Sequence, residues 1–331
     1  MSGLANSPSG RDDGRQQEIL DLLRRIPQLA DVGDLAVEPL TGVQSLNNSS
    51  WIVTTPGRSD AVEKFVLRVP EPGRAAHLGI DRAEEAAAAR AAASVGIGPE
   101  VVYCDTTSGD MLTRWVTGRA WAPEDLREPE NLRRTAELLR AMHAVTDIPG
   151  EPGAVYRRIR HLIGNAQRLG LEMPAHLPEA LHRLDDLEAR LAAMTDGRCG
   201  LNHNDLWANN ILGSPERVWF MDWEFAGAGD GLYDLASVSM SGGYGPQDEA
   251  RLFSEYGLSG PEEHAAVQSA KWVVRFFEGA WSLTMHQLTS SRAPNAANGP
   301  IPANAATSGF DYFGHATYML DAVADGPDPV G

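Results

Sequence analysis

The sequence predicts an α+β chain in two parts: a small strand-rich lobe built on an antiparallel sheet, then a larger, mainly helical lobe. Three observations predict it. Val37–Thr55 and Ala61–Val69 read as strands joined by a Pro-Gly-Arg-Ser-Asp turn at Pro56–Asp60, and Val101–Cys104 and Met111–Val116 read as two more around a Thr-Thr-Ser-Gly-Asp turn. One Ala-rich helix, Asp81–Val95, interrupts them and stops at Gly96. Beyond Gly118 the pattern becomes helical over Asn131–Val145 and Leu177–Met194, with a lone apolar strand at Arg217–Trp223.

Taken in order, residues 1–14 are Ser, Gly and Asp rich and read as a disordered tail. Gln16–Leu29 reads as an amphipathic helix through Ile19, Leu20, Leu22, Leu23 and Ile26. The first lobe is expected over 15–116 and the second over 117–331, with a hinge near 113–118. Ser290–Gly309 is Ala, Asn and Pro rich without a period, and reads as a long flexible loop that is either a lid or disordered.

Composition excludes several function classes. The net charge is −17, from 45 acidic and 28 basic residues, and Lys64 and Lys271 are the only lysines. Such a chain lacks the basic footprint of a nucleic-acid binder and is repelled by anionic membranes. From Leu201 onward there are 16 acids and 5 bases, so the acidity gathers in the second lobe, where it concentrates cations. No window holds ~18 uninterrupted apolar residues, the start carries no apolar signal core, and Cys104 and Cys199 are the only cysteines. A cytoplasmic protein is expected.

The chemistry is written in Leu201–Leu212, L-N-H-N-D-L-W-A-N-N-I-L. His203-x-Asp205-Leu206-x-x-x-Asn210 has the spacing of a kinase catalytic loop, and the following strand Val218–Met221 delivers Asp222. Phosphoryl transfer needs this order: Asp205 takes the proton of the attacking hydroxyl, while Asn210 and Asp222 offer hard oxygen ligands to Mg²⁺. Gly227-Ala-Gly-Asp-Gly231 follows a strand, but Leu232 stands where a dinucleotide-binding turn requires its third glycine, and Asp230 and Asp234 would repel a pyrophosphate.

With these residues, Met221-Asp-Trp-Glu-Phe-Ala, Gly229-Asp-Gly-Leu-Tyr-Asp-Leu-Ala236, Phe65-Val-Leu-Arg-Val69, Ile80-Asp-Arg-Ala-Glu-Glu85, Gly96-Ile-Gly-Pro99 and Leu112-Thr-Arg-Trp-Val-Thr-Gly118, the chain resembles the choline/ethanolamine kinase branch of the aminoglycoside phosphotransferase superfamily, over about 37–323. The resemblance implies a bilobal protein-kinase-like fold and an ATP- and Mg²⁺-dependent kinase acting on a hydroxyl. It implies Asp205 as catalytic base, Asn210 and Asp222 as Mg²⁺ ligands, and Arg68 on the ATP phosphates, with Lys64 as the other cation of that strand. Glu85, or its neighbour Glu84, would pair with Arg68. His203 and Asp234 would shape the loop, and Thr113, Trp115 and Val116 would receive adenine.

Two departures stand out. The family's glycine pair in the nucleotide loop is replaced by Gln44-Ser45-Leu46-Asn47-Asn48, so Ser45, Asn47 and Asn48 side chains are expected to supply donors where backbone approach is restricted. The late Trp-x-x-Trp pair that lines the family's ammonium pocket becomes Glu278-x-x-Trp281, one helical turn apart. A carboxylate beside an aromatic plane suits a cation, and hydrogen bonding favours amines over choline. Trp223, Glu224 and Asp230 are further candidates for acceptor contact. The expected partner is a small cationic acceptor bound by a monomer or homodimer. An aminoglycoside-type antibiotic phosphotransferase and a nucleotide-binding pseudokinase are the alternatives.

Overall fold

Apolar residues of the first part recur with the strand period, and their burial follows it. The computed structural model describes residues 9–41, 47–57, 62–171, 173–195, 199–289 and 310–324. The chain divides into one unit of Met1–Glu71 with Glu100–Val116 and a second of Pro72–Pro99 with Thr117–Gly331. The Ala-rich helical segment, expected in the first lobe, therefore groups with the second unit.

In the first unit, α1 (Ser9–Leu23) precedes β1 (Ala36–Pro39), β2 (Asn48–Pro56) and β3 (Val62–Pro70). In the second unit follow α2 (Arg74–Leu78) and α3 (Arg82–Ser94), and the first unit closes with β4 (Val101–Cys104) and β5 (Met111–Arg114). The sheet is antiparallel throughout, in the order β1-β2-β3-β5-β4. Alternation points Trp51, Val53, Phe65 and Leu67 to one face, where Ile19, Leu23, Ile26 and Leu29 cover them. Val66 and Arg68 of β3 take the other face, with Lys64 exposed. The single strand expected over Val37–Thr55 is two, β1 and β2, paired across a connection outside the described residues in part. The helix expected from Gln16 begins at Ser9, so only residues 1–8 of the expected tail lie outside the described residues. A Ser, Gly and Asp composition removes the apolar period that marks a helix start without preventing the helix.

The second unit continues with β6 (Arg119–Ala120), α4 (Pro123–Arg127), α5 (Pro129–His143), α6 (Ala154–Arg168), α7 (Leu177–Met194), β7 (Gly200–Asn202), β8 (Ile211–Gly213), β9 (Val218–Phe220), β10 (Gly227–Gly229), α8 (Leu232–Gly242), α9 (Pro246–Tyr256), α10 (Pro261–Thr289) and α11 (Tyr312–Asp321). The strand expected alone is the edge of a β6-β8-β9 sheet, and β7 pairs with β10. Its neighbours were illegible because two or three residues carry no period. At 29 residues α10 is about 44 Å long. It packs against α6, α8 and α11, which leaves it apolar on several sides. No helix among the described residues is long and apolar enough to cross a membrane. Ser290–Gly309, the expected flexible loop, lies outside the described residues.

α3 starts where Asp81 caps it: Oδ1 accepts the N–H groups of Ala83 at 2.8 Å and Glu84 at 3.1 Å. Asp81→Ala is expected to cost about 0.5–2 kcal/mol in urea unfolding, and Asp81→Ser to recover most of it.

Candidate active site

The site is built on the segment that leaves β7. A side chain at Gly200 would put its Cβ 2.0 Å from the His143 carbonyl oxygen, so the strand runs against the end of α5 only because this residue is glycine. Four residues on, Asn204 adopts φ 60°, the left-handed region that asparagine tolerates better than most residues. Asp234, fully buried on α8, holds that turn. Its Oδ2 accepts the His203 N–H and its Oδ1 the Asn204 N–H, both at 2.8 Å. His203 is also fully buried, with Nε2 2.8 Å from the Met221 carbonyl; because a carbonyl only accepts, Nε2 carries the proton. Burial lowers the His203 pKa, and the ring is a neutral strut between the loop and the Asp222 segment.

Asp205 follows at the surface of this turn. Asn210, at the end of a short 3-10 turn (Ala208–Asn210), donates from Nδ2 to the Asp205 carbonyl at 2.8 Å and to its Oδ2 at 2.9 Å. The Met221 N–H donates to the Asn210 carbonyl at 2.8 Å, which brings β9 alongside, and Asp222 then turns with φ 63°. The Asp205 pKa is raised well above the usual carboxylate range, first by burial and then by the charges of Glu278, Asp222 and Glu224; the Asn210 amide opposes them. The charges of Glu278, Asp222 and Glu224 thus gather around Asp205, with the Asn210 amide bonded to it.

The donor set suits a hard cation. With the Asn210 amide nitrogen committed to Asp205, its oxygen, which accepts only a long 3.4 Å bond from Asn209 Nδ2, can turn to a ligand, and Asp222 adds a carboxylate. All-oxygen coordination by an amide and a carboxylate is what Mg²⁺ takes from proteins.

Other expected residues divide into those at this cluster and those elsewhere. Glu278 stands in it, 13% exposed, with Trp281 one turn further along α10. The Trp281 Nε1 is buried without a hydrogen-bond partner among the described residues, and its ring meets Tyr312 edge-on at 5.9 Å. Trp223 is 4% exposed and packs against the His203 ring at 4.7 Å. Glu224 is 3% exposed and lies 3.8 Å from Arg82, which also binds Glu85 at 2.7 Å. It belongs to an internal ion-pair network. Asp230 lines a separate cavity of about 120 Å³ with His143, Cys199 and Tyr256, a different place from the Asp205 cluster.

In the first unit, Arg68 lies on β3 opposite Ser50 and Met111, and donates to the Gly109 carbonyl at 3.3 Å. Asn47 precedes β2 and Asn48 begins it, each 6% exposed, and the Asn47 carbonyl accepts the Glu71 N–H at 2.8 Å. Ser45 lies outside the described residues. Thr113 lies in β5 opposite Val66, and Trp115 donates its N–H to the Lys64 carbonyl at 3.0 Å, with Val116 next in chain.

Sequence reasoning missed His143. Its Nε2 donates to Asp234 at 3.1 Å, and Tyr256 Oη lies 2.8 Å from Nδ1, so it braces the loop anchor from behind. A single histidine at a helix end gives no spacing signal. Tyr233 was missed too: it is buried, and the charges of Glu278 and Asp205 add to burial in raising its pKa.

Residues 39–268 match the phosphotransferase enzyme family. Protein LicA of Haemophilus influenzae is 26% identical over 206 residues, covering 60% of this chain and 57% of LicA. Probable choline kinase 3 of Arabidopsis thaliana is 26% identical over 215 residues, covering 62% of this chain and 60% of its own. The chain therefore spans 57–60% of the length of these two relatives. A choline/ethanolamine kinase family protein from Mesorhizobium loti has the same fold, with a TM-score of 0.66 at 24% identity over 92% of each chain. That fold is the protein-kinase-like one.

Replacing Asp234 by Asn puts an N–H₂ group against one of two loop amides. A buried donor left unsatisfied costs about 1–3 kcal/mol, so Asp234→Asn is expected to lose that much in urea unfolding and to speed amide exchange at His203 and Asn204.

Proposed function

The chain belongs to the phosphotransferase enzyme family, and from that premise we propose that it is an ATP- and Mg²⁺-dependent small-molecule kinase, transferring the γ-phosphoryl group to a hydroxyl of an amine- or ammonium-bearing metabolite of the choline or ethanolamine type. The observation that carries this reading is the Asn210 amide bonded to the Asp205 carboxyl, with Asp222 close enough for its charge to act on Asp205. The resemblance to choline kinase 3 of Arabidopsis supports the choice of acceptor class.

In this reading the acceptor hydroxyl donates to the Asp205 carboxylate. As its oxygen attacks the γ-phosphorus in line, the proton passes to Asp205 and the bond to the β-phosphate oxygen breaks, releasing ADP. A carboxylate whose pKa is raised takes that proton more readily than an exposed one. Mg²⁺, when bound, neutralises charge on the transferring phosphates. Asn210 and Asp222 would hold it. Arg68 would meet the phosphates, Asn47 and Asn48 would contribute donors, and Thr113, Trp115 and Val116 would receive adenine, while Glu85, expected to pair with Arg68, pairs with Arg82. Ser45 belongs to the same proposed loop. Glu278 and Trp281 would frame the acceptor's cation, with charge pairing on one side and a ring face on the other.

Glu278 adds negative charge where Asp205 is already crowded by Asp222 and Glu224. A cationic acceptor relieves that crowding. A carboxylate also accepts hydrogen bonds, so primary amines fit better than quaternary ammonium groups.

A nucleotide-consumption assay over amino alcohols, amino sugars and thiamine-like cations, with and without Mg²⁺, tests the activity. Folded, ATP-binding protein that consumes no nucleotide with any acceptor would overturn the reading in favour of a pseudokinase. Asp205→Asn is expected to cut kcat by ~10²–10⁴ while nucleotide affinity changes by a factor of a few. Asp222→Ala is expected to abolish the Mg²⁺ dependence of nucleotide binding in calorimetric titration. Glu278→Trp is expected to shift relative kcat/KM toward quaternary ammonium alcohols by about tenfold, since a ring face offers a desolvated cation ~2 kcal/mol.

A further inference from the structure

Helix α8 holds the loop around Asp205 at two places. Asp234 accepts the His203 and Asn204 N–H groups ahead of it, and Ser241 Oγ accepts the Ala208 N–H behind it, again at 2.8 Å. Asp234 and Ser241 stand seven residues apart on α8, two turns and about 10 Å along the same face. Nearly all of the helix is buried, and its far end is fixed by α4: Arg127 donates to the Gly242 carbonyl at 3.1 Å, and Tyr244 Oη to the Leu126 carbonyl at 2.6 Å.

The second contact meets a specific need. Ala208 opens the 3-10 turn that carries Asn210, and the first N–H of such a turn has no partner within it. The residue before the turn is Trp207, whose indole can only donate, and it makes no side-chain cap. Ala208 is 4% exposed, so water does not serve in its place. Ser241, itself buried, supplies from another element the oxygen that a local capping residue would have offered. The turn then passes its position on. The Asn210 N–H donates to the Trp207 carbonyl at 2.9 Å, and its side-chain amide donates to the Asp205 carboxyl, also at 2.9 Å. Ser239, two residues earlier on α8, points elsewhere and donates to Glu249 at 2.6 Å.

We propose that Ser241 is a positioning residue, a remote cap that fixes the Asn210 amide against Asp205 and so sets the metal-binding geometry of the loop. This rests on the reading of Asn210 as a Mg²⁺ ligand. Without the Ser241 oxygen the Ala208 N–H is buried and unsatisfied, and the turn relieves that cost by shifting, carrying Asn210 with it. Asp205 stays anchored through Asp234, so the loss falls on the metal more than on the acceptor hydroxyl.

The test uses the full chain. In metal-free Ser241→Ala, amide exchange followed by NMR is expected to speed about tenfold at Ala208 and to stay unchanged at His203 and Asn204, since one cap is worth about a decade in an equilibrium. Calorimetric titration with a non-hydrolysable ATP analogue is expected to need about 3–10-fold more Mg²⁺ for half-maximal binding, while affinity at saturating Mg²⁺ stays within about twofold. Ser241→Cys keeps the space filled with a weak sulfur acceptor and is expected to move the Mg²⁺ dependence the same way, whereas Ser241→Thr keeps the hydroxyl and is expected to stay near wild type. Ser239→Ala loosens α8 without touching the loop and is expected to leave the Mg²⁺ dependence unchanged. Folded Ser241→Ala or Ser241→Cys protein with wild-type Mg²⁺ dependence overturns the proposal. An equal shift in Ser239→Ala also overturns it, since the effect would then be a general softening of α8. Asn210→Ala separates this role from the metal site. If it removes the Mg²⁺ dependence while the Ser241 variants do not, the metal site stands and the role of Ser241 falls. If Asn210→Ala leaves that dependence unchanged, the metal site itself is wrong and the role of Ser241 falls with it.

Discussion

Asp234 accepts two consecutive backbone N–H groups at 2.8 Å, and that pair of bonds is what lets His203–Asp205 turn through the left-handed region at Asn204 instead of continuing β7. The turn sets where Asp205 emerges, and Asn210 then locks the carboxyl from the other side. The anchor is itself enclosed: His143 donates to it from α5, and a side chain at Gly231 would lie 2.6 Å from the His143 ring. Removing any one of these contacts leaves a buried polar group without its partner, which is why the loop, its brace and the start of α8 form one cooperative unit.

Charge organises the rest of the second unit. Asp205, Asp222, Glu224 and Glu278 are close enough to influence one another, in a chain whose net charge is −17. Glu224 is compensated internally through Arg82, which it shares with Glu85, so α3 and the Trp223–Phe225 segment are tied by one buried guanidinium.

Much of this was legible because it depends on local spacing. The His203, Asp205, Asn210 and Asp222 series follows from a loop and a strand of fixed length, and α7 was read from its period at the residues where it occurs. The first unit's strands were legible because one face is buried and one is not. The rest depends on tertiary packing. α8 and α10 are covered on several sides and so lack a clean apolar stripe, and β6 and β8 are too short to have a period. Trp223 and Asp230 were drawn to the site by proximity in sequence, yet one turns inward against His203 and the other faces a separate cavity. His143 could not be seen at all, since it matters through a partner more than thirty residues away.

The left-handed backbone at Asp222 has an evolutionary consequence. A non-glycine residue with φ 63° is held against its own preference, and glycine would adopt that angle freely. Asp and Gly codons differ by a single base, so the mutation that relaxes this backbone also deletes the carboxylate. Under the proposed function, selection for that carboxylate opposes a drift that the backbone angle alone would favour. Descendants freed from that selection have a short, downhill path to folded proteins that keep the architecture and lose the chemistry.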